Sequence, residues 1–186
     1  MSIKNMYKNN CSLYFFTFTC HDWLHLFDMV NGYDLVYRWF DWLKVNGCFA
    51  SGWVIMPNHL HAILYFSRAG FNLNKIIGNG KRLMAYEIIR RLEFSANREI
   101  LNALSSAVSI RERKKGQLHK VFRDSFDAKE IYSEWFLNQK LNYIHLNPVR
   151  GKWKLVEDYT TYEHSSASFY MLGEIKAYAP FDIRLL

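Results

Sequence analysis

Cys48 to Met56 and His59 to Phe66 are two apolar runs separated only by Pro57-Asn58. Proline presets its own φ and asparagine tolerates turn geometry, so such a pair folds one run back on the other. A β-hairpin is expected, and the rest of the chain has to be built around it.

The flanking segments supply what a hairpin needs. Ser12 to Cys20 (SLYFFTFTC) is dense in aromatic and threonine residues and is expected as a strand. Tyr33 to Lys44 places Leu35, Val36, Trp39, Phe40 and Leu43 at helical spacing, and Asn46-Gly47 stops the helix. Phe71 to Phe94 carries a second helical pattern, with an interruption expected near Gly78-Asn79-Gly80. After a basic loop from Arg111 to Gly116, Leu118 to Arg123 is expected as a fourth strand. Ala128 to Leu146 is expected as a helix, with Asp127 as N-cap, Pro148 marking its end, and Ile131, Trp135, Leu137, Leu141 and Ile144 as its apolar set.

The order β-α-β-β-α-β followed by a helix is that of a ferredoxin-like (RRM-like) α+β fold: an antiparallel sheet with helices on one face, plus a C-terminal tyrosine-bearing helix. At 186 residues, half of them hydrophobic, the chain fits a single domain over 1–186, with a core at about 12–150 and a tail at 151–186.

Charge narrows the partners. Lys and Arg total 24 against 17 Asp and Glu, a formal charge of +7, which favours a polyanion: nucleic acid or an anionic membrane. No apolar run is long enough to span a bilayer, because Trp53 to Phe66 is broken at Pro57-Asn58-His59. Leu13 to Cys20 lacks the small-residue cleavage site of a signal peptide. Cys11, Cys20 and Cys48 are odd in number and form no CxxC pair, which argues for reduced, apolar cysteines and a reducing compartment. A cytoplasmic protein is expected.

His59-Leu60-His61 opens the second hairpin strand. Positions i and i+2 share a face, so both imidazoles emerge side by side while Leu60 points into the core. Two neutral imidazoles in that arrangement can chelate one divalent ion. His-x-His is also a common accident. Here, however, the pair stands where a strand normally has Val, Ile or Thr. A second candidate surface lies on the late helix, where Gln139, Tyr143 and Asn147 recur at i, i+4, i+8 with Lys140 close by.

The block Trp53-Val54-Ile55-Met56-Pro57-Asn58-His59-Leu60-His61 resembles the His-hydrophobic-His motif of single-tyrosine HUH transposases, of the insertion-sequence type and its REP-associated relatives. Tyr143-Ile144-His145-Leu146-Asn147-Pro148-Val149-Arg150 resembles the block that carries that family's nucleophile. Phe15-Phe16-Thr17-Phe18-Thr19 and Ser165-Ser166-Ala167 are weaker landmarks, and the resemblance runs from about Ser12 to Tyr170. One departure is Leu118 to Arg123, which stands where relatives often carry a Trp-Gln segment.

The resemblance implies a metal-dependent DNA transposase or nickase that cuts and rejoins single-stranded or hairpin DNA through a 5′-phosphotyrosine. It implies Tyr143 as nucleophile, a divalent ion (Mg²⁺ or Mn²⁺) on His59 and His61, and Asn147 as third ligand. Asn147 reads equally well as a helix cap before Pro148. His145, about 200° round the helix from Tyr143, is left out of the metal site. A free phenol titrates near pH 10, so about one in a thousand is ionised at pH 7; the metal or Lys140 would have to favour the phenolate. Candidate phosphate contacts are Lys81 and Arg82 on the second helix, Arg113 and Lys114 in the basic loop, Lys140, and Arg150 beyond the tyrosine helix. The alternative is a catalytically silent DNA-hairpin-binding protein of the same descent. Insertion-sequence relatives act as homodimers with the tyrosine in trans, whereas REP-associated relatives can be monomers.

Overall fold

A computed structural model describes residues 12–185. Its centre is a four-stranded sheet of β1 (Ser12–Thr19), β2 (Cys48–Met56), β3 (His59–Phe66) and β4 (Asp127–Glu130), in the spatial order β2-β3-β1-β4. Every neighbouring pair is antiparallel. Helices α1 (Tyr33–Val45), α2 (Leu73–Phe94) and α3 (Arg98–Ser106) lie between strands. Then α4 (Glu134–His145) follows β4, and a short α5 (Ala167–Leu172) lies near the end. The strand order is the ferredoxin-like one expected from the sequence.

The three long strands β1, β2 and β3 are covered on both faces, and strand alternation decides which residue serves which. Phe16 and Phe18 of β1, with Leu60, Ala62, Leu64 and Phe66 of β3, join Val36, Trp39 and Phe40 of α1 and Ile77, Met84 and Ile88 of α2 in one core. Leu13 and Phe15, with Ile63 and Tyr65, face the other way and meet Leu137 and Ile144 of α4. Phase is kept in β2 only by a register shift between Ala50 and Gly52. Cys48 and Ala50 serve the first core, and Trp53 and Ile55 serve it again beyond the shift. A bulge of one residue produces this change of parity. Gly52 follows it because a Cβ there would come within 2.7 Å of Leu141 of α4.

Four expectations are corrected. Leu118 to Arg123 is not a strand: it contributes one isolated bridge, Cys20 to Phe122, and buries Val121 and Phe122 in the core. The fourth strand is Asp127–Glu130, all four residues exposed on the sheet edge, so no apolar periodicity announced it. Asp127 therefore does not cap a helix; α4 starts at Glu134, where the Ser133 hydroxyl accepts from the Phe136 amide at 3.2 Å. Trp135, 70% exposed, is not part of its apolar stripe. Finally, α2 runs unbroken through Gly78-Asn79-Gly80, because Gly80 is the point where α1 crosses: a Cβ would sit 2.5 Å from the Trp39 ring.

Arg111 to Arg113 form the end of a single helical turn (Ile110–Arg113), capped reciprocally by Ser109 and Glu112. Cys20 and Cys48 are buried free thiols; Cys11 lies outside the described residues. No helix among the described residues is long and apolar enough to cross a membrane.

Candidate active site

The hairpin turn delivers His59 and His61 to the α4 face of β3, where each is only 5% exposed and their rings lie 4.7 Å apart. Leu60 between them is fully buried in the opposite core. Across the strand pair, Thr19 stands opposite His59 and Thr17 opposite His61.

Each imidazole is held by its Nδ1. The Asn58 amide donates its N–H to the Trp23 carbonyl at 2.8 Å, which leaves its oxygen to accept from Nδ1 of His59 at 2.6 Å. Thr17 holds Nδ1 of His61 through its hydroxyl. With Nδ1 so engaged, Nε2 is the ring nitrogen left to face a cation, the arrangement that orients histidines in metal sites. Burial lowers the pKa of His59 to about 4, partly opposed by the Asn147 side chain, whose amide oxygen favours the protonated ring. His61 is pushed well below the ordinary value by burial, by His59 and by Lys140. Both rings are therefore neutral at pH 7, as metal ligation requires.

Tyr143 reaches this pair from α4. Its hydroxyl lies 3.4 Å from Nε2 of His61, and the two rings meet edge to face at 4.9 Å. Phe15 supports both, stacking on His61 at 5.9 Å and meeting Tyr143 edge-on at 6.1 Å. Tyr143 is nevertheless 42% exposed, so a polymer can reach it. Lys140, one turn earlier, holds its ammonium 4.8 Å from the Phe15 ring centre and 5.9 Å from that of Tyr143. Its pKa is lowered by burial and by Lys129.

Asn147 begins a 3₁₀ turn just after α4, and its side chain is turned to His59. Among the described residues no cluster of three or more His, Cys, Asp or Glu is gathered. The residues that could hold a metal are His59, His61 and the Asn147 amide, two nitrogens and one oxygen, a set that would suit several divalent ions. His145, as expected, stays out: it is buried, with Nε2 3.0 Å from the Ser166 hydroxyl.

The basic candidates divide. Lys81 is occupied, its ammonium donating to the carbonyls of Arg123 and Asp124 at 2.6 and 3.1 Å. Arg113 donates to the Ser105 carbonyl. Arg82, Lys114 and Arg150 are exposed. Arg82 lines a groove of about 610 Å³ with Arg90, Lys115 and Arg123. Lys140 alone of the six lies against the Tyr143 ring.

Four contributors escaped the sequence reading: Thr17, Asn58, Trp23 and Trp153. Trp23 stands edge-on to His59 at 6.2 Å with φ 57°, and the Arg123 guanidinium lies 4.7 Å from its ring centre. A bulky residue in that region of backbone space is an outlier of the kind that clusters at functional sites. Trp153 packs on His59 from the other side at 5.7 Å. Thr17 and Asn58 had a visible signal: a polar residue among the aromatics of β1, and one at the hairpin turn directly before the histidines.

Fold and site together define an α+β sheet protein with a His–His–Tyr constellation over one sheet face. No protein-family model and no curated protein matches the chain. Among solved structures it is similar to a REP-associated tyrosine transposase bound to a REP hairpin, with a TM-score of 0.61 over 92% of this chain and 87% of that one. Sequence identity is 15%, so the likeness is one of fold.

Proposed function

We propose that this protein is a metal-dependent single-tyrosine transposase or nickase acting on single-stranded or hairpin DNA. The observation that carries the reading is the Tyr143 hydroxyl 3.4 Å from Nε2 of His61, one of a buried, neutral histidine pair. A phenol placed there, yet open to solvent, has the position of a nucleophile beside an electrophile-activating centre. The fold likeness to a transposase bound to a DNA hairpin agrees with it.

His59, His61 and Asn147 would hold the divalent ion. When bound, Mg²⁺ or Mn²⁺ supplies Lewis-acid polarisation of a non-bridging phosphate oxygen. The Tyr143 oxygen attacks phosphorus and forms the new P–O bond while the bond to the 3′-oxygen breaks. The phenol loses a proton and the departing 3′-oxygen takes one up, so the step is proton-neutral. Rejoining reverses it, since the phosphotyrosine conserves the bond. The Lys140 ammonium offers positive charge to the phosphate or to the phenolate. Phe15 and Trp153 exclude water from the histidine side. Arg82, Arg123, Lys114 and Arg150 provide the wider electrostatic surface for the strand.

The test is incubation with labelled single-stranded hairpin DNA and Mn²⁺ or Mg²⁺, then a denaturing gel, with Tyr143→Phe beside it. A metal-dependent protein–DNA adduct that vanishes in the variant is expected. Absence of an adduct over a broad panel of hairpins, with DNA binding intact, would make the protein a silent hairpin binder instead.

A further inference from the structure

Beside the histidine pair lies a second cavity, of about 500 Å³, whose lining includes Asp28, Tyr33, Trp153 and Tyr162, with the Lys152 ammonium 5.8 Å from the Trp153 ring centre. It is separated from the proposed cleavage site by one ring: Trp153 packs on His59 at 5.7 Å and on His25 at 5.4 Å.

Its walls are fixed. Tyr33 lies flat on His164 at 3.7 Å, and the Tyr162 hydroxyl donates to the Ile55 carbonyl at 2.9 Å. Burial and the nearby Asp28 carboxylate raise the pKa of the Tyr33 phenol. Asp28 is exposed, and no Lys or Arg ion pair is formed with it among the described residues. The aromatic walls offer faces for a flat ring, and the carboxylate offers acceptors at its edge. A carboxylate repels phosphate and the Lys152 ammonium attracts it, so the Asp28 side of the cavity suits a base and the Lys152 side the backbone that carries it.

We propose that this cavity receives one unpaired base of the DNA strand whose phosphate lies at Tyr143, and that Asp28 selects guanine there. This rests on the DNA-cleaving reading above. Guanine presents two adjacent N–H donors on its pairing edge, which a carboxylate can accept together. Adenine and cytosine offer one amine beside an acceptor. Thymine offers a single N–H between two carbonyls that the carboxylate repels. Extruded bases are read in this way, by edge hydrogen bonds within aromatic walls.

The experiment measures binding of fluorescent oligothymidylate strands that carry a single central dG, dA, dC or abasic residue, by anisotropy in metal-free buffer so that no strand is cut. In a uniform dT background the strand is free to slide until its odd residue occupies the cavity. All strands share the same phosphates, so differences report the base. The dG strand should bind about tenfold tighter than the abasic one, in keeping with a bidentate edge contact. Asp28→Asn and Asp28→Ala, changes at an exposed position, should erase that advantage and leave dT binding in place. Equal affinity for dG and abasic strands, or an unchanged dG preference in both variants, overturns the inference. If the Tyr143 adduct still forms in that case, the cleavage reading stands and only the base pocket falls. If no strand binds at all, the base pocket falls, and the cleavage reading is decided by the hairpin adduct assay alone.

Discussion

The Tyr143 hydroxyl and Nε2 of His61 stand 3.4 Å apart, so the nucleophile and a metal ion would call on the same lone pair. The hydrogen bond seen here and a loaded site are alternatives, and loading frees the hydroxyl. Tyr143→Phe should therefore abolish the DNA adduct while Mn²⁺ binds equally well or about twofold tighter, the worth of a weak hydrogen bond removed. Calorimetric titration of both proteins with Mn²⁺ checks this; a variant that lost Mn²⁺ binding would make the tyrosine a ligand rather than a competitor.

Thr17 offers a second test. Its hydroxyl hydrogen-bonds Nδ1 of His61 and so orients the ring. Thr17→Val keeps the β-branched shape and removes only that bond. Metal affinity should fall about 10- to 100-fold, the usual cost of losing an outer partner of a ligating histidine. Adduct formation should then be restored by raising Mn²⁺. Unchanged Mn²⁺ affinity would show that the ring is oriented by packing on Phe15 alone.

How far the sequence could be read depends on whether a residue's job leaves a periodic trace. His59 and His61 were legible because strand alternation puts i and i+2 on one face and because two imidazoles interrupt an apolar run. Tyr143 was legible only through its resemblance to a family block, since nothing local separates it from Tyr132. The hairpin, β1, α1 and the strand order also followed from the sequence. β4 was hidden because Asp127–Glu130 is a charged edge strand, buried on neither face, paired through its backbone alone. Misplacing it drew the start of α4 too early. The bulge in β2 was hidden because both faces of that strand are buried, so a change of parity leaves the apolar run continuous. Trp23 and Trp153 reach His59 through loops, whose course no periodicity encodes.

Gly78 and Gly80 look equivalent in sequence and are opposite in structure. A methyl group at Gly78 meets nothing within 4 Å, whereas at Gly80 it would strike Trp39. Gly78→Ala should stabilise by about 0.5–1 kcal/mol through helix propensity. Gly80→Ala should destabilise by about 1–3 kcal/mol through overpacking at the helix crossing. Denaturant midpoints of the two variants decide it; equal shifts of one sign would mean that the helices separate without cost.

Lys81 and Arg82 are neighbours with different predicted roles. Lys81 ties down the carbonyls of Arg123 and Asp124, so Lys81→Met should speed proteolysis near those residues. Arg82 is exposed in the basic groove, so Arg82→Gln should leave stability alone and lower the salt dependence of DNA binding by about one phosphate's worth. Measuring the slope of log K against log salt separates the two; an unchanged slope in Arg82→Gln would remove this groove from the DNA path.

Acid should weaken the fold through its buried histidines. His59 and His145 both have pKa values lowered to about 4, chiefly by burial. His145 has an additional reason to resist protonation: among the described residues its buried Nδ1 has no hydrogen-bond partner, so an added N–H would lack one. The unfolded chain, with ordinary imidazoles near 6.5, binds more protons than the folded one between these values. Stability is therefore fully present above about pH 6.5, falls as pH drops through the window, and levels off below about 4, by on the order of 3 kcal/mol for each ring. His61 adds to the loss in the same direction. Thermal midpoints in metal-free buffer should fall steadily from pH 7 to pH 4.5. His145→Gln, whose amide can still reach Ser166, should flatten that fall, whereas an equally steep fall in the variant would assign the acid sensitivity to the His59–His61 pair alone.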